Sequence, residues 1–325
     1  CSPLVLVVRW SASPRAARAA MADSDVDQMS LKELKEVIAR AGLNLDGCIE
    51  KPDIRQRARE ALAALAAKPA APPKASGSTK HTLGGYSCIV KAPEDVMSGA
   101  VAADLAVVVL HGYGASNSDF ADVPSIVDPH LDSGHRVLYC FPQAPMSAIG
   151  AAWWQIDIMG FLTLASAGEA AIAKMIRKEP EGLAQARASL AELIQQVCAM
   201  AGGPGSPLPP SRLVLGGFSQ GAMTALDVAL QQPAEQGIAG VLCLSGAPIV
   251  IEQWTARLAV HKGLRVLLTH GMQDSTLPLQ CSGWTHELLK ANGAKVTYVP
   301  FSGGHELGGA DVISALVAFV RASLQ

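Results

Sequence analysis

The sequence predicts an α/β protein in which a mainly parallel β-sheet carries helices on both faces. From residue 81 onward, short runs rich in Val and Leu alternate with longer amphipathic stretches, and several of the runs end in Gly, Pro or a polar residue. Strands that alternate with helices are joined by right-handed crossovers, which produce a parallel sheet between two helical layers. Ligands bind such sheets at the carboxyl ends of the strands, so the residues that follow each strand are the candidates for chemistry.

The individual elements follow from these runs. Each strand candidate is short and apolar, as expected for a strand that is buried on both faces. The helix candidates repeat their apolar residues with the helical period. The predicted strands are residues 105–110, 137–141, 213–216, 241–244, 266–269 and 296–299, and the predicted helices include residues 183–200, 222–231 and 284–291.

The composition excludes several classes of protein. Of the 325 residues, 50% are hydrophobic and 17% are charged, which rules out a mainly disordered chain. The 26 basic and 28 acidic side chains give a net charge of −2, so the chain lacks the field that attracts nucleic acid or anionic membranes. No apolar run is long enough to span a membrane, and we expect a soluble protein.

The seven cysteines are scattered along the chain without a C-x-x-C pair. An odd number of unclustered cysteines indicates neither a disulfide framework nor a zinc site. Such cysteines are typical of buried thiols in a reducing compartment. We therefore expect a cytoplasmic protein without a bound metal.

Four segments are predicted along the chain. Residues 1–29 are a disordered or targeting segment, residues 30–66 a two-helix module, residues 67–80 a Pro-, Ala- and Ser-rich linker, and residues 81–325 the α/β domain. Residues 1–20 contain three Arg and no acidic residue. They are interpreted either as sequence upstream of a true start at Met21, which we favour, or as the remnant of an organelle-targeting peptide.

The pattern of the second segment is typical of two packed helices. Ser30 and Glu33 match the capping-box pattern of a helix start, and Pro52 suits the first turn of a second helix. This arrangement resembles SAP-like helix-extended-helix modules, some of which bind nucleic acid. Residues 21–68, however, contain eight basic and nine acidic side chains, a balance without the basic face of a DNA-binding module. We expect a tethering or protein-contact module.

The strongest motif comes directly after the predicted strand 213–216. Residues 217–221 read Gly-Phe-Ser-Gln-Gly, a G-x-S-x-G sequence that is followed by a helix-forming run. The two glycines permit a tight strand-to-helix turn, which presents the serine hydroxyl at the top of the sheet. The N-terminus of the following helix favours negative charge at this point. Ser219 is therefore the predicted nucleophile.

A serine nucleophile needs a base and an acid that orients the base, in the chain order Ser, Asp, His. Asp274 follows the predicted strand 266–269, and His305 follows the strand 296–299 within a Gly-rich loop. Both residues are expected at the same edge of the sheet as Ser219. They are the predicted acid and base, whereas His270 is interpreted as structural.

Backbone amides near the nucleophile are the candidates for stabilising a developing oxyanion. Residues 110–114 read Leu-His-Gly-Tyr-Gly and end a buried strand, where a backbone N–H faces the nucleophile. A second amide is offered by the residue that directly follows the serine. The amides of Tyr113 and Gln220 are the predicted oxyanion hole.

Together these segments resemble the phospholipase/carboxylesterase family of α/β-hydrolases, which includes acyl-protein thioesterases and lysophospholipases. The resemblance spans about residues 85–323 and includes the His-Gly-x-Gly run, Pro-Gln-Ala-Pro at residues 142–145, the G-x-S-x-G sequence, Asp274 and His305. It implies the α/β-hydrolase fold and hydrolysis of carboxylic esters or thioesters, without a metal or organic cofactor. The sequence departs from the thioesterase pattern at Ala115, where Asp is common, and at residues 153–157, where a tighter Trp-Phe-Asp is usual.

Residues 146–181 are expected to shape the substrate site. Apolar side chains are concentrated there, and Trp153, Trp154, Phe161 and Leu162 are the candidates for lining an acyl-binding lid or cap. The alternative interpretation is that these side chains are core residues beneath a loop.

The sequence thus predicts a serine hydrolase that cleaves carboxylic esters or thioesters through an acyl-enzyme intermediate. Its expected partner is a small or lipidic ester or thioester, or an S-acylated protein, and nucleic acid is not expected. The alternative is a binding or scaffold protein that works through residues 30–66 and carries a passive hydrolase fold. The presence of all three triad residue types in order argues against that alternative.

Overall fold

A computed structural model describes residue 26 and residues 31–40, 51–67, 76–132, 134–147, 150–156 and 169–325. The chain divides into two compact units, one within residues 10–74 and the other within residues 75–325. The predictions made for residues 1–20, Phe161 and Leu162 concern positions outside the described residues.

The part of the smaller unit that the structure describes contains the helices α1 (Leu31–Arg40) and α2 (Lys51–Ala67). They pack through a small apolar cluster in which Leu34, Ile38 and Ala58 are buried. Burial of one apolar face on each helix is the expected way to stabilise such a pair. Both predicted helices are present, whereas their connection at residues 41–50 lies outside the described residues.

An eight-stranded sheet organises the larger unit. The strands are β1 (Ser76–Leu83), β2 (Tyr86–Pro93), β3 (Leu105–Leu110), β4 (Val137–Pro142), β7 (Leu213–Phe218), β8 (Gly240–Leu244), β9 (Arg265–Gly271) and β10 (Lys295–Phe301), and a separate hairpin pairs β5 (Met146–Ser147) with β6 (Gly150–Ala151). The order across the sheet is β1-β2-β4-β3-β7-β8-β9-β10. The six neighbouring strands β4, β3, β7, β8, β9 and β10 are parallel to one another. At one edge of the sheet, β2 pairs antiparallel with β4, and β1 pairs antiparallel with β2. The predicted α/β class and the predicted strands are confirmed.

Among the described residues of this unit, the helices are α3 (Glu94–Met97), α4 (Val123–Val127), α5 (Glu169–Met175), α6 (Leu183–Ala201), α7 (Gln220–Gln231), α8 (Ile251–Leu258), α9 (Leu279–Ala291) and α10 (Ala310–Ser323). Helix α7 contacts both α6 and α8, whereas α10 contacts α4. The connection from β3 to β4, which contains α4, runs across the sheet in the opposite direction to the later connections. Right-handed crossovers therefore put α4, with α10 against it, on one face of the sheet and α6, α7 and α8 on the other. No helix in the described ranges combines the length and the apolar character that crossing a bilayer requires.

The start of the α/β unit differs from the prediction. Strand β1 begins at Ser76, inside the segment predicted to be a linker, and pairs with β2 through a turn at Gly84 and Gly85. Both glycines have positive φ, 55° and 81°, as a two-residue hairpin turn of type I′ requires. Strand β1 was not predicted because its sequence is polar. An edge strand has only one neighbour in the sheet and therefore tolerates polar side chains.

Candidate active site

A strained turn carries the predicted nucleophile. Ser219 has φ 55° and ψ −120°, directly between the end of β7 and the start of α7. A Cβ atom on Gly217 would lie 2.4 Å from the backbone of Gly221, and one on Gly221 would lie 2.2 Å from the carbonyl oxygen of Leu110. The turn therefore closes only with glycine at both positions, which is the physical content of the G-x-S-x-G pattern.

His305 lies within hydrogen-bonding distance of both other predicted triad residues. The Ser219 hydroxyl lies 2.9 Å from Nε2 of His305, and Nδ1 of His305 lies 2.6 Å from Oδ2 of Asp274. Since Asp274 accepts the proton on Nδ1, Nε2 is left to accept the hydrogen of the serine hydroxyl. This is the geometry in which a histidine can remove the proton of a serine.

The carboxylate of Asp274 is buried and fully engaged. Oδ1 accepts the backbone N–H groups of Thr276 and Leu277, each at 2.8 Å, while Oδ2 accepts the His305 N–H. Burial raises the pKa of Asp274, but the hydrogen bond and charge of His305 and the two amides outweigh it, and the pKa lies below its usual value. The carboxylate is therefore charged at neutral pH and able to orient an imidazolium.

Two loops hold Asp274 and His305 against each other. The N–H of Gln273 donates to the carbonyl oxygen of Gly303 at 2.9 Å. A Cβ atom on Gly271 would lie 2.0 Å from the carbonyl oxygen of Gly304, so only glycine fits at residue 271. The close approach of the loops after β9 and β10 fixes the distance between Asp274 and His305.

Two further polar residues support this arrangement. His270 is buried, and its Nε2 lies 2.8 Å from the carbonyl oxygen of Leu277, in the turn whose amides bind Asp274. This placement agrees with the structural role predicted for His270. Ser245, at the end of β8, donates its hydroxyl to the carbonyl oxygen of Glu306, next to His305. Sequence reasoning missed Ser245, although its position directly after a parallel strand was a signal for it.

The predicted oxyanion segment lies beside the nucleophile because β3 and β7 are neighbours. Leu110 pairs with Gly217, so residues 111–114 leave the sheet next to the turn at Ser219. A Cβ atom on Gly112 would lie 3.4 Å from the Cβ of Ser219. The N–H of Gln220 is among the first amides of α7, which an α-helix leaves without an intrahelical acceptor. The two predicted amides thus come from the segments that flank the serine.

The four predicted substrate-lining residues divide into two pairs. Trp153 and Trp154 are only 4% and 7% exposed, and the N–H groups of their indoles donate to the carbonyl oxygen of His111 and to the hydroxyl of Thr224. Such burial limits the area that the two side chains can offer to a substrate. Their contact with an acyl chain stays a prediction, as does that of Phe161 and Leu162, which lie outside the described residues.

In its neutral form, His111 stabilises residues 111–114, the predicted oxyanion segment. Its Nε2 accepts the N–H of Ala144 at 3.0 Å and lies 3.1 Å from the side-chain nitrogen of Gln143, while Nδ1 lies 2.8 Å from the carbonyl oxygen of Gly112. Burial lowers the pKa of His111, against a smaller opposing effect of the Gly112 hydrogen bond. Protonation of Nε2 would remove an acceptor that two donors use.

We expect the free energy of unfolding to fall as the pH decreases below about 6.5, the pKa of an unfolded histidine. Burial lowers the pKa of both His111 and His270. Below that pH the unfolded chain binds more protons than the folded protein, so the stabilisation is complete above it and lost progressively beneath it. Urea unfolding from about pH 5 to 7.5 measures how steeply the free energy of unfolding depends on pH. The variant His111→Gln should reduce this slope by up to ~1.4 kcal/mol per pH unit. An unchanged slope in that variant would contradict the role given to His111.

The chain is similar to known proteins in sequence and in structure. Residues 91–323 match the family described as Phospholipase/Carboxylesterase. Acyl-protein thioesterase 1 of Schizosaccharomyces pombe is 26% identical over 235 residues, which cover 70% of this chain and 94% of that protein. The protein of the same name from Mycosarcoma maydis is 28% identical over 197 residues, or 56% of this chain and 73% of its own length. The crystal structure of esterase PE8 is similar with a TM-score of 0.53 and 26% identity, over 68% of this chain and 93% of that one.

The family match covers most of the unit that contains the sheet. It includes the positions of Ser219, Asp274 and His305, and it begins after residues 30–66. The resemblance of those earlier residues to SAP-like modules therefore gains no support. The parallel strands, the strained turn after β7 and the loops after β9 and β10 lie where the sequence patterns predicted them. The chain belongs to the phospholipase/carboxylesterase family and has the α/β-hydrolase fold.

Proposed function

We propose that the protein is a serine hydrolase that cleaves carboxylic esters or thioesters through an acyl-enzyme intermediate. The observation that carries the proposal is the chain of two hydrogen-bonding contacts from Ser219 through His305 to Asp274, at 2.9 Å and 2.6 Å. Because an activated serine has little use outside nucleophilic catalysis, this geometry favours an enzyme over the alternative of a passive scaffold.

In the first half of the reaction, Oγ of Ser219 attacks the carbonyl carbon of the substrate and passes its proton to Nε2 of His305. The carboxylate of Asp274 stabilises the imidazolium that forms. The carbonyl oxygen becomes an oxyanion, for which the amides of Tyr113 and Gln220 are the proposed donors. The intermediate then collapses, the alcohol or thiol leaves with the proton of His305, and the acyl group remains on Ser219.

In the second half, water takes the place of the leaving group. His305 removes a proton from the water molecule, and the resulting attack on the acyl-enzyme forms a second oxyanion at the same amides. Collapse of this intermediate releases the carboxylic acid and returns the proton to Ser219. No step needs a group beyond the side chains and amides already described.

The leaving group is the finer part of the proposal. Two relatives are named acyl-protein thioesterase 1, which supports thioesters among the substrates. An oxyanion hole and a triad act on the carbonyl group, which esters and thioesters share. We therefore propose both classes, with a fatty or other apolar acyl group, and turnover of a palmitoyl thioester beside the matching oxygen ester compares them.

Covalent labelling tests the proposed function directly. A fluorophosphonate probe should modify Ser219 and no other serine, because only an activated hydroxyl reacts at a useful rate. Intact-mass measurement should find one adduct, and peptide mapping should assign it to Ser219. Equal labelling of wild type and Ser219→Ala would overturn the assignment, and Ser245→Ala is a matched control that removes another buried serine hydroxyl near the site.

We expect longer acyl chains to be better substrates if Phe161 and Leu162 line the site. Burial of each CH₂ offers about 0.8 kcal/mol, so lengthening the chain from about two to eight carbons offers up to ~5 kcal/mol. Chain ordering offsets part of this gain, and an increase of roughly 10- to 200-fold in kcat/KM is expected. The measurement is kcat/KM for p-nitrophenyl esters of graded length, below their micelle concentrations.

The double truncation Phe161→Ala and Leu162→Ala tests whether these side chains cause the increase. It should flatten the dependence on chain length and spare the acetyl ester, because the triad is untouched. The acetyl ester is thus an internal control for correct folding. A wild-type profile with its maximum at acetyl, or an unchanged slope in the variant, would show that the acyl group does not contact these residues.

A further inference from the structure

The two amides proposed for the oxyanion hole come from different parts of the fold. Tyr113 follows β3, whereas Gln220 begins α7 after β7. Both N–H groups must point at one oxygen atom, and an error of about 1 Å at such a site costs a large part of the rate. Pairing of β3 with β7 fixes where the two segments leave the sheet, but it does not fix the orientation of the peptide planes beyond the ends of the strands. A contact that joins the two segments would fix that orientation.

Residues 151–154 hold the segment that contains Tyr113 from both sides. The N–H of Gly114 donates to the carbonyl oxygen of Ala151 at 2.8 Å, and Nε1 of Trp153 donates to the carbonyl oxygen of His111 at 2.8 Å. These two hydrogen bonds bracket Tyr113, so the peptide that carries its N–H has an anchored neighbour on each side.

The same short segment also binds the residue that follows the nucleophile. The side-chain oxygen of Gln220 accepts the backbone N–H of Trp153 at 3.1 Å, and its side-chain nitrogen donates to the carbonyl oxygen of Trp154 at 2.8 Å. Gln220 is only 1% exposed. Loss of either hydrogen bond would leave a buried polar group without its partner, so both are strongly favoured.

Trp153 is the residue that these two sets of hydrogen bonds share. Its indole binds the His111 carbonyl and its backbone binds Gln220, while its ring packs against His111 at 5.3 Å and edge-on against Tyr86 at 5.4 Å between centroids. An ordinary core tryptophan needs only a partner for its N–H. Here one partner, His111, lies two residues before the proposed donor Tyr113, and the other, Gln220, carries the second proposed donor.

We propose that Trp153 is a positioning residue for the oxyanion hole, which sets the distance and orientation of the Tyr113 and Gln220 amides relative to each other. The inference depends on the proposed serine-hydrolase function and adds a role for a side chain that sequence reasoning assigned to substrate binding. Because a developing oxyanion exists only in the transition state, loss of the bridge should lower kcat and leave KM nearly unchanged.

The test is Trp153→Phe, which removes the indole N–H and keeps an aromatic ring. Loss of a whole oxyanion donor costs about 10²–10³ in kcat, so loosening the hole should cost roughly 10- to 100-fold. A trifluoromethyl ketone forms an oxyanion adduct with an active serine, and its inhibition constant should increase by the same factor as kcat/KM falls. The pH profile of kcat/KM should keep its midpoint, because His305 and Asp274 are unaffected.

Trp254→Phe is the matched control. Trp254 is also buried and also donates its indole N–H, but to Asp227 on α7. The same substitution there should lower the melting temperature and leave kcat per active site within about twofold, since its hydrogen-bond partner, Asp227, is neither a proposed triad residue nor a proposed oxyanion donor. Active sites are counted by complete fluorophosphonate labelling, so that a loss of folded protein is not mistaken for a loss of rate.

A second variant examines the other end of the bridge. Gln220→Met keeps the backbone amide and removes the side-chain oxygen that binds the Trp153 N–H. It should lower kcat in the same range, and the double variant with Trp153→Phe should lose less than the product of the two single effects, because both break one bridge.

The outcomes separate the inference from the proposed function. An active wild type with unchanged kcat and inhibitor binding in folded Trp153→Phe would overturn the positioning role. If Trp153→Phe fails to fold, wild-type kcat in Gln220→Met would overturn it instead. A wild type that neither turns over esters and thioesters nor binds the trifluoromethyl ketone would overturn the proposed function itself.

Discussion

Replacement of Ser219 or His305 by Ala should lower kcat by about 10⁴- to 10⁶-fold for any ester that the wild type accepts. In the proposed mechanism, Ser219 supplies the attacking oxygen and His305 moves the proton in both halves of the reaction, so the loss of either residue should stop both halves. Oγ of Ser219 and Nε2 of His305 lie 2.9 Å apart, and we expect the two residues to act as one unit. The double variant should therefore be no slower than the worse single variant.

Asp274→Asn should be less damaging than loss of the base, because an orienting residue acts through His305. Its Oδ2 accepts the Nδ1 proton of His305 at 2.6 Å, and an amide turned towards Nδ1 would favour the wrong tautomer. His286→Gln is a matched control for the histidine, since His286 stacks on Tyr298 within α9 and β10. If His270→Gln were as damaging as His305→Ala in folded protein, His305 would not be the base.

Replacement of Arg187 by Met should lower the free energy of unfolding by about 3–5 kcal/mol. Arg187 makes two hydrogen bonds, at 2.6 Å and 2.8 Å, to the carboxylate of Asp227, whose side chain is completely buried. The Asp227 carboxylate also accepts the indole N–H of Trp254 at 2.9 Å. Removal of the guanidinium would leave a buried charge without its counter-ion, which is the costly way to break such a pair.

Two comparisons make this prediction specific. Asp227→Asn should cost less, because Arg187 is 17% exposed and can turn its charge towards water. Arg177→Met removes a pair with Glu252 in which both side chains are more than half exposed, and it should cost less than about 1 kcal/mol. Urea unfolding at neutral pH measures all three variants. Equal losses for Arg187→Met and Arg177→Met would contradict the role assigned to burial.

The local parts of the fold were predictable because each has a cause within a short stretch of chain. The apolar run at residues 105–110 can be satisfied only as a strand buried on both faces, and the structure has β3 at Leu105–Leu110. The glycines around Ser219 predicted a tight turn, which the φ of 55° confirms. Asp274 and His305 were predictable from their positions after strands, since parallel strands bring their carboxyl ends to one edge.

The hairpin of β1 and β2 was missed for a different reason. The sequence of β1, Ser-Gly-Ser-Thr-Lys-His-Thr-Leu, has little apolar content and resembles the linker before it. Its strand conformation depends on hydrogen bonds to β2, which in turn pairs with β4. The Gly-Gly pair at residues 84–85 was the local signal that could have predicted the turn.

The sequence by itself determined the parallel sheet, the tight turn at Ser219 and the order of the three proposed triad residues, because periodicity and glycine geometry act over a few neighbouring residues. Only the tertiary structure decided that the Trp153 indole meets His111, that Gln220 holds residues 153 and 154, and that Arg187 pairs with Asp227. These partners are about 40 or more residues apart along the chain. Their meeting depends on strand order and helix packing, for which a single sequence contains no local signal.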